Sequence, residues 1–270
     1  MPIECRQITG ALGAEVTSVD MADPTDELIA DLSKAWLDHK VLVLRDQHIS
    51  IEEHIAFGRR FGELEIHPFA SNHRDYPEIV RIKSNEKFQY AASSWHTDVT
   101  WRQEPSMGSI LRGVVIPSVG GDTSFTSSAL AYERLPDDVK EAIEGRFAIH
   151  DFSMSFGRAM TDEERAEQQV KFPPARHPIV RTHPDTGERS LCTSRNFVRE
   201  IEGADDDEFQ RLMDAFDRAI MSPSVQCRVK WQPDTFVMWD NRAVHHHASD
   251  DFWPETRHVE RVTITGDRPF

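Results

Sequence analysis

The chain has 270 residues and a formal net charge of −15, from 31 Lys and Arg against 46 Asp and Glu. With 39% hydrophobic and 29% charged residues its composition is that of a globular protein, and no apolar run approaches the roughly 20 residues of a membrane-spanning helix. The acidity argues against nucleic acids and anionic membranes as partners, because both select basic surfaces, and on its own it also argues against an anionic substrate.

The N-terminus and the cysteines predict a reducing compartment. Residues 1–7 lack the basic stretch followed by an apolar one that is typical of a secretory signal. Cys5, Cys192 and Cys227 lie far apart and form no CxxC pair, so neither a disulfide framework nor a thiolate metal site is predicted. We therefore expect a cytoplasmic protein, and a homo-oligomer is compatible with the sequence.

The first half of the chain alternates between helical and strand patterns. Leu28, Leu32 and Trp36 recur at helical spacing, and Ser50 with Glu53 forms a predicted capping box. The predicted elements are a helix over 26–37, a buried strand over 41–44, a helix from Ser50 to about 61, and strands over 79–83, 108–116 and 120–126.

The second half adds three helices and most of the strand signals. Pro184–Gly187 is a turn sequence between two β-rich runs, which predicts a hairpin. The predicted elements are helices over 136–144, 161–171 and 205–221, the hairpin of 177–182 and 189–193, and strands over 225–231, 235–239 and 261–265. No repeat or linker interrupts this pattern. We therefore expect one domain over residues 1–270, mostly β with peripheral helices, of the sandwich or jelly-roll type.

A histidine two residues before an aspartate is a candidate metal-binding pair, because both side chains would lie on one face of an extended strand. The pattern occurs at His73/Asp75, His96/Asp98 and His183/Asp185. The first pair lies in a polar segment typical of a surface loop, and the third lies in the predicted hairpin turn. The second pair lies between large apolar residues in segment 95–101, where a metal site would be shielded from water. The alternative for that histidine is a hydrogen-bonded position in the core.

A third metal ligand is available in the run His245-His246-His247. An Fe(II) facial triad combines two histidines with one carboxylate and leaves three coordination positions open. If the run is extended, His246 lies on the opposite face from its two neighbours, so only one of these sets can face a site. The spacing does not choose between them, and a solvent-facing run or a zinc site remains an alternative.

Four motifs follow one another along the chain. They are Trp95-His-Thr-Asp-Val-Thr100, Gly120-Gly-Asp-Thr123, Trp239-Asp-Asn-Arg-x-x-x-His246, and Arg257 with Arg261 before Thr263-Ile-Thr-Gly-Asp267. In this order they resemble the taurine dioxygenase/TfdA family of Fe(II)- and 2-oxoglutarate-dependent dioxygenases. The resemblance extends from about residue 5 to the end of the chain. It implies a distorted double-stranded β-helix, a cupin-like jelly roll, which agrees with the strand-rich pattern.

The resemblance implies a role for each of ten residues. His96, Asp98 and His246 would bind Fe(II). Thr123 and Arg257 would bind the distal carboxylate of 2-oxoglutarate, the cosubstrate that is consumed with O₂. The residues implied for the prime substrate are His67, Val99, Phe156, Phe197 and Arg261. The alternatives are surface salt bridges for the arginines, core packing for the phenylalanines and a loop position without a ligand for His67.

The chemistry of these side chains agrees with the implied roles. A guanidinium group forms a planar, charge-assisted, bidentate match to a carboxylate, which suits Arg257. Arg261 follows four residues later, so an extended strand would place both side chains on one face. Fe(II) and the two arginines would make the pocket locally positive against Asp98. The net charge of −15 therefore does not exclude an acidic substrate.

The resemblance implies oxidative decarboxylation of 2-oxoglutarate to succinate and CO₂, coupled to hydroxylation of an aliphatic C–H of a prime substrate. Where taurine-specific members carry an amide and a tyrosine, this chain has Ala92 and Ala70. We therefore expect a small anionic substrate with a larger or more apolar body than taurine, of the alkyl sulfonate, alkyl sulfate or aryloxyalkanoate type. The alternatives are a metal-binding jelly-roll protein without oxidative chemistry, and a zinc hydrolase, which would not need Thr123 and Arg257.

Overall fold

Fifteen strands and six α-helices form the regular structure of residues 2–88 and 93–270, the parts of the chain that this computed structural model describes. The strands are β1 (Glu4–Gln7), β2 (Ala14–Thr17), β3 (Val41–Leu44), β4 (Val80–Ser84), β5 (Gly108–Val115), β6 (Thr123–Ser127), β7 (Phe147–His150), β8 (Ala175–Pro178), β9 (Val180–Thr182), β10 (Arg189–Leu191), β11 (Val198–Ile201), β12 (Gln226–Val229), β13 (Phe236–Asp240), β14 (Val244–Ala248) and β15 (Arg257–Ile264). The helices are α1 (Asp26–His39), α2 (Ile51–Arg59), α3 (Ser128–Glu133), α4 (Asp137–Ile143), α5 (Asp162–Lys171) and α6 (Asp206–Ile220), with short 3-10 helices at Phe152–Met154, Phe156–Ala159 and Pro223–Val225. The prediction of a mostly β chain with peripheral helices is confirmed.

A seven-stranded sheet lies at the centre of the fold, in the order β1-β2-β3-β13-β5-β15-β4. Strand β3 is buried along its whole length because its alternating side chains face two different apolar layers. Leu42 and Leu44 pack in one cluster with residues of α1 and α2. Val41 and Val43 pack in another with Phe125 of β6. The continuous apolar run that predicted a buried strand thus reflects coverage of the sheet on both faces.

A three-stranded sheet, β12-β6-β14, covers the second face of the central sheet. Its register pairs His246 of β14 with Phe125 of β6, and Ala248 with Thr123. The same Thr123 faces Val229 of β12 on the other side. Thr123 and His246 therefore lie on adjacent strands of one rigid sheet.

The helix signals in the sequence correspond to observed features. Ser50 and Glu53 form the predicted capping box at the start of α2, with N–O distances of 3.1 and 2.7 Å. The apolar stripe of α6 is core packing, as predicted, and its buried members include Leu212, Met213, Phe216 and Ile220. None of the helices in the described part of the chain is long and apolar enough to cross a membrane.

The extended-strand geometry expected of a His-x-Asp pair is not found at His96 and Asp98. His96 makes a single antiparallel bridge with His246, and the chain then enters a turn at Asp98. Val99, at the centre of that turn, has a φ of 46°. The two candidate ligands therefore face one site because the chain turns between them, and not because of strand alternation.

Three other predicted boundaries differ from the structure. Residues 177–178 belong to β8, which pairs with β7, so only β9 and β10 form the predicted hairpin. Strand β6 begins at Thr123, because Gly120 and Gly121 take positive φ values of 76° and 70°. Strand β15 begins at Arg257, four residues before the predicted start, and strands β1, β2, β7 and β11 and helix α3 are additional elements.

Candidate metal centre

The side chains of His96, Asp98 and His246 converge on one point. Their ligand atoms all lie within 4.8 Å of one another. Nε2 of His96 is 3.9 Å from Oδ1 of Asp98, and Nε2 of His246 is 4.0 Å from Oδ2. The backbones of the two histidines exchange hydrogen bonds of 3.0 and 2.8 Å, which fix the loop that carries Asp98 against strand β14.

The protonation states of the three groups suit a divalent metal ion. Nδ1–H of His96 donates to the carbonyl of Ser94 at 2.7 Å, so Nε2 carries the lone pair that faces the site. Burial lowers the pKa of both His96 and His246, which keeps them neutral. Burial would raise the pKa of the Asp98 carboxyl, but the charge of Arg261 outweighs it and holds the pKa well below its usual range. Two neutral imidazoles and one carboxylate are the donors of a facial triad.

The spacing of these atoms fits one metal ion. Ligands at right angles, each about 2.1 Å from an ion, are about 3 Å apart. The two observed separations of 3.9 and 4.0 Å exceed this value by about 1 Å. Because these two separations are measured to different oxygens of the Asp98 carboxylate, the side chains would have to move inward for one oxygen and both imidazoles to bind the same ion.

The neighbouring histidines face away from this site. His245 is buried on the other side of β14, where Nδ1 accepts from Ser128 Oγ at 2.8 Å and Nε2–H donates to Thr193 O at 2.6 Å. The ring of His247 lies against Trp95, with 5.5 Å between the ring centroids. Strand alternation thus brings His246 alone of the three to the candidate site, as the sequence predicted for an extended run.

The other two His-x-Asp pairs are structural. Nδ1 of His73 accepts from the backbone N of Asp75 at 3.1 Å in a surface segment. Nε2 of His183 pairs with Asp240 Oδ2 at 3.0 Å, and its Nδ1 accepts from the backbone N of Asp185. Both arrangements agree with the loop and turn predicted for these pairs.

Arg257 is a buried cation in the same cavity, and none of the described acidic residues forms a salt bridge with it. Its Nε donates to the carbonyl of Gly121 at 3.0 Å, and its Nη2 has no hydrogen-bond partner among the described residues. Burial lowers its pKa to about 10, against a weaker opposite effect of Asp122. A buried guanidinium with an unpaired donor is suited to a carboxylate ligand, so this observation fits the predicted binding of 2-oxoglutarate.

Arg261 and His67 line the same cavity. Nη1 of Arg261 donates to Oδ2 of Asp98 at 2.8 Å. Nδ1 of His67 accepts from the backbone N of Phe69 at 3.1 Å, so its proton is on Nε2. Burial, assisted by the charge of Arg261, lowers the pKa of His67 to about 3. His67 is therefore a neutral hydrogen-bond donor next to a permanent cation.

One cavity of about 290 Å³ is lined by all ten residues that the sequence singled out. Arg257 and Arg261 reach it from the same face of β15, as their spacing predicted. Phe156 and Phe197 form an aromatic wall, with near-parallel rings 6.2 Å apart. The further apolar lining residues are Val80, Ile82, Leu111 and Val259.

Several residues of the site were not predicted from the sequence. Trp231 donates to Thr123 and lies beside Arg257. Glu65 is a buried carboxylate 3.0 Å from Arg102, and the charges of Arg261 and Asp98 act on it. In the sequence, Trp231 and Glu65 are distinguished only by lying near one of the motifs, and many other residues do so as well. Ala70 lines the cavity as expected, whereas Ala92 lies outside the described residues.

Comparison with known proteins assigns the family. A family model described as "Taurine catabolism dioxygenase TauD, TfdA family" matches residues 4–263. The chain belongs to this family. Membership in the TauD/TfdA family makes the chain an oxidoreductase that depends on Fe(II), 2-oxoglutarate and O₂, so the predicted reaction class and cofactors are confirmed. It also argues against a jelly-roll protein without oxidative chemistry and against a zinc hydrolase.

Relatives of this TauD/TfdA-family chain act on different acids. It is 32% identical to the alkylsulfatase of Acinetobacter baylyi, over 98% of this chain and 86% of that one. It is also 32% identical to the (S)-phenoxypropionate/alpha-ketoglutarate-dioxygenase of Sphingobium herbicidovorans, over 96% of this chain and 94% of that one. The crystal structure of a taurine dioxygenase from Burkholderia xenovorans superposes with a TM-score of 0.85 at 32% identity, over 100% of this chain and 93% of that one.

Proposed function

We propose that this enzyme hydroxylates an aliphatic C–H of a small anionic substrate, of the alkyl sulfonate, alkyl sulfate or aryloxyalkanoate type. The co-products would be succinate and CO₂. The observation that carries the proposal is the pair of Arg261 and neutral His67, which line the same cavity as the candidate metal ligands and as several apolar side chains. When bound, Fe(II) together with 2-oxoglutarate and O₂ supplies the oxidising chemistry.

His96, Asp98 and His246 would hold the metal ion. Their convergence within 4.8 Å and their protonation states support this assignment. We further infer that residues 1–270 form one domain, in which the seven-stranded and three-stranded sheets make the distorted double-stranded β-helix of a jelly roll. The shared core between the two sheets, built around Phe125 and Trp239, supports this arrangement.

Thr123 and Arg257 would hold the distal carboxylate of 2-oxoglutarate. Both side chains are buried, and both line the cavity. Arg257 supplies the charge and Thr123 supplies a hydroxyl. A charge-assisted contact in a buried setting is stronger than a neutral hydrogen bond, so Arg257 would provide most of the affinity.

Arg261 and His67 would bind the acidic group of the prime substrate. The guanidinium of Arg261 provides charge and parallel donors that match a sulfonate, a sulfate or a carboxylate. His67 adds a donor from Nε2 without adding charge, because its imidazole is neutral. The two residues therefore orient a monoanion with its carbon chain directed along the apolar walls.

The walls favour a body larger than that of taurine. Phe156, Phe197 and Val99 line the cavity, and Ala70 leaves space where a taurine-specific member has a tyrosine. Apolar walls exclude water and bind a hydrocarbon or aryl group in proportion to the area they cover. The relatives named for alkyl sulfate and phenoxypropionate chemistry are consistent with both kinds of body.

The position of the new hydroxyl decides the final products. If the hydroxylated carbon bears a sulfate or ether oxygen, or a sulfonate sulfur, the adduct collapses to a carbonyl compound. The carbon–heteroatom bond then breaks, and sulfate, a phenol or sulfite leaves with the electron pair. The proton of the hydroxyl passes to solvent.

A substrate panel tests the proposal. Succinate formation and O₂ uptake would be measured with taurine, hexanesulfonate, hexyl sulfate, phenoxy acids and amino acids. We expect turnover with the long or aryl acids and little with taurine or amino acids. Comparable turnover of taurine and the longer sulfonates would contradict the proposed substrate class. Succinate formation at the same rate with and without each acid of the panel would show that none of these acids is a substrate, and would also contradict it.

A further inference from the structure

Trp231 contacts both residues that are proposed to bind the distal carboxylate of 2-oxoglutarate. Its Nε1 is 2.9 Å from Oγ1 of Thr123. The guanidinium carbon of Arg257 is 5.8 Å from the centroid of its ring, within the range of a cation–π contact. The side chain is buried and lies two residues after the end of strand β12.

The hydrogen bond between Trp231 and Thr123 can run in only one direction. An indole N–H donates and cannot accept, so Trp231 is the donor and Thr123 Oγ1 the acceptor. The hydroxyl hydrogen of Thr123 must then point elsewhere, and no described residue accepts it. Because Thr123 lines the cavity, this hydrogen is available to a ligand there.

Arg257 also has a buried donor without an acceptor among the described residues. This donor is Nη2, and the charge of the guanidinium lies beside the faces of Trp231 and Phe252. Two buried donors that lack acceptors thus border one part of the cavity. A carboxylate would satisfy both.

We infer that Trp231 is a positioning residue for the cosubstrate: it restricts the Thr123 hydroxyl to the role of donor and supports the Arg257 guanidinium, so that both address the distal carboxylate. This inference rests on the proposed roles of Thr123 and Arg257. It adds that the Thr123 hydroxyl is already oriented before the cosubstrate binds. Less conformational entropy is then lost on binding.

A purely structural role for Trp231 makes different predictions. Trp231 also belongs to the apolar cluster with Val229 and Leu111, where any large ring would fill the space. In that case loss of the indole N–H would not alter ligand selectivity. Selectivity for the distal carboxylate is therefore the property to measure.

The test compares two 2-oxoacids that differ in the distal carboxylate. Dissociation constants of 2-oxoglutarate and 2-oxobutyrate would be measured by calorimetry on the Mn(II)-loaded enzyme and on Trp231→Phe. We expect the substitution to weaken 2-oxoglutarate about 3- to 10-fold and to leave 2-oxobutyrate unchanged. The second variant is Trp231→Met, whose side chain fills part of the space but has no hydrogen-bond donor. For each variant, the ratio of the dissociation constants for the two acids does not depend on how much of the protein is folded.

Two controls make the result decisive. In a Thr123→Val background, Trp231→Phe should cause no further loss of 2-oxoglutarate affinity, because the hydrogen bond is already absent. Trp253→Phe, at an exposed tryptophan that donates to Asn85 O, should leave both constants unchanged. Equal weakening of both acids, or no weakening of either in both variants, would overturn the inference. If the wild-type enzyme itself did not prefer 2-oxoglutarate to 2-oxobutyrate, the proposed carboxylate site would be wrong instead.

Discussion

Arg261 donates from Nη1 to Oδ2 of Asp98 across 2.8 Å, and both side chains are buried. The residue proposed to bind the substrate's acid is therefore in direct contact with a proposed metal ligand. It is also one of the charges that hold the pKa of Asp98 low. Substrate binding and metal binding should consequently be coupled through this one guanidinium.

The substitution Arg261→Gln tests this coupling. It should lower kcat/KM for the best acidic substrate by about 100-fold, because a buried charge partner is lost. It should also weaken Mn(II) binding at acid pH, because Asp98 loses a counter-charge and its carboxyl is protonated more readily. Activity would be followed as succinate and metal affinity by titration. Arg218→Gln, on the exposed face of α6, is the matched control, and unchanged metal affinity in Arg261→Gln would contradict the coupling.

Gly121→Ala should impair the cosubstrate site through Arg257. Gly121 has a φ of 70°, and an added Cβ would lie 3.1 Å from Arg257 Cδ and 3.0 Å from Pro117 Cγ. We expect a stability loss of about 1 kcal/mol from the backbone and a several-fold weaker affinity for 2-oxoglutarate from the displaced guanidinium. Gly145→Ala is the control, because it has nearly the same φ (68°) and nothing within 4 Å of the added atom. It should lose stability only; equal losses of affinity in the two variants would refute this account of Gly121.

Ala70→Tyr should narrow the range of substrates. Ala70 lines the cavity at the position where taurine-specific members of the resembled family carry a tyrosine. The larger side chain should reduce kcat/KM for hexyl sulfate about tenfold by overpacking the site, with a smaller effect on a two- or three-carbon sulfonate. Ala159→Tyr, at an exposed position outside the cavity, should change neither. Equal effects on long and short substrates would show that Ala70 does not set the space for the body of the substrate.

Stability should fall as the pH decreases below about 6.5, in part because of His54. This side chain is fully buried, donates from Nε2 to Ile110 O at 3.1 Å, and has its pKa lowered to about 3, chiefly by burial. Below pH 6.5 the unfolded chain takes up a proton there and the native state does not. The contribution is therefore complete above that pH and is lost towards pH 3, at up to about 1.4 kcal/mol per pH unit. The free energy of unfolding would be measured with urea between pH 7.5 and 5. Its decrease with falling pH should correspond to about one proton fewer in His54→Gln than in the wild type. The same pH dependence in both proteins would contradict this role of His54.

Much of the fold could be predicted from local patterns. Three elements have a short-range sequence pattern with a direct physical cause. They are the cap at Ser50, the buried run of β3 and the apolar stripe of α6. Strands β7 and β11 were missed because each has only four residues, and what makes them strands is their pairing with each other across about 50 residues of sequence. That pairing has no local signal.

The candidate site could be predicted for a different reason. Residue types and spacing alone left alternatives open for the third metal ligand and for the arginines, and the ten site residues were predicted from four motifs whose order resembles that of the TauD/TfdA family. The geometry was not predicted in the same way: His96 and Asp98 face one site through a turn at Val99, and not along a strand. Trp231 was missed because a tryptophan that orients a hydroxyl is indistinguishable in sequence from one that fills the core.

The most direct test of the central claim is the visible absorption of the enzyme with Fe(II) and 2-oxoglutarate under anaerobic conditions. Bidentate chelation of Fe(II) by the 2-oxoacid should give a weak charge-transfer band in the wild type, and His246→Ala should abolish it. His247→Ala is the matched control, because that ring lies on the opposite face of β14 against Trp95, and its band should persist. Absence of the band in the wild type, or its persistence in His246→Ala, would contradict the metal centre described here.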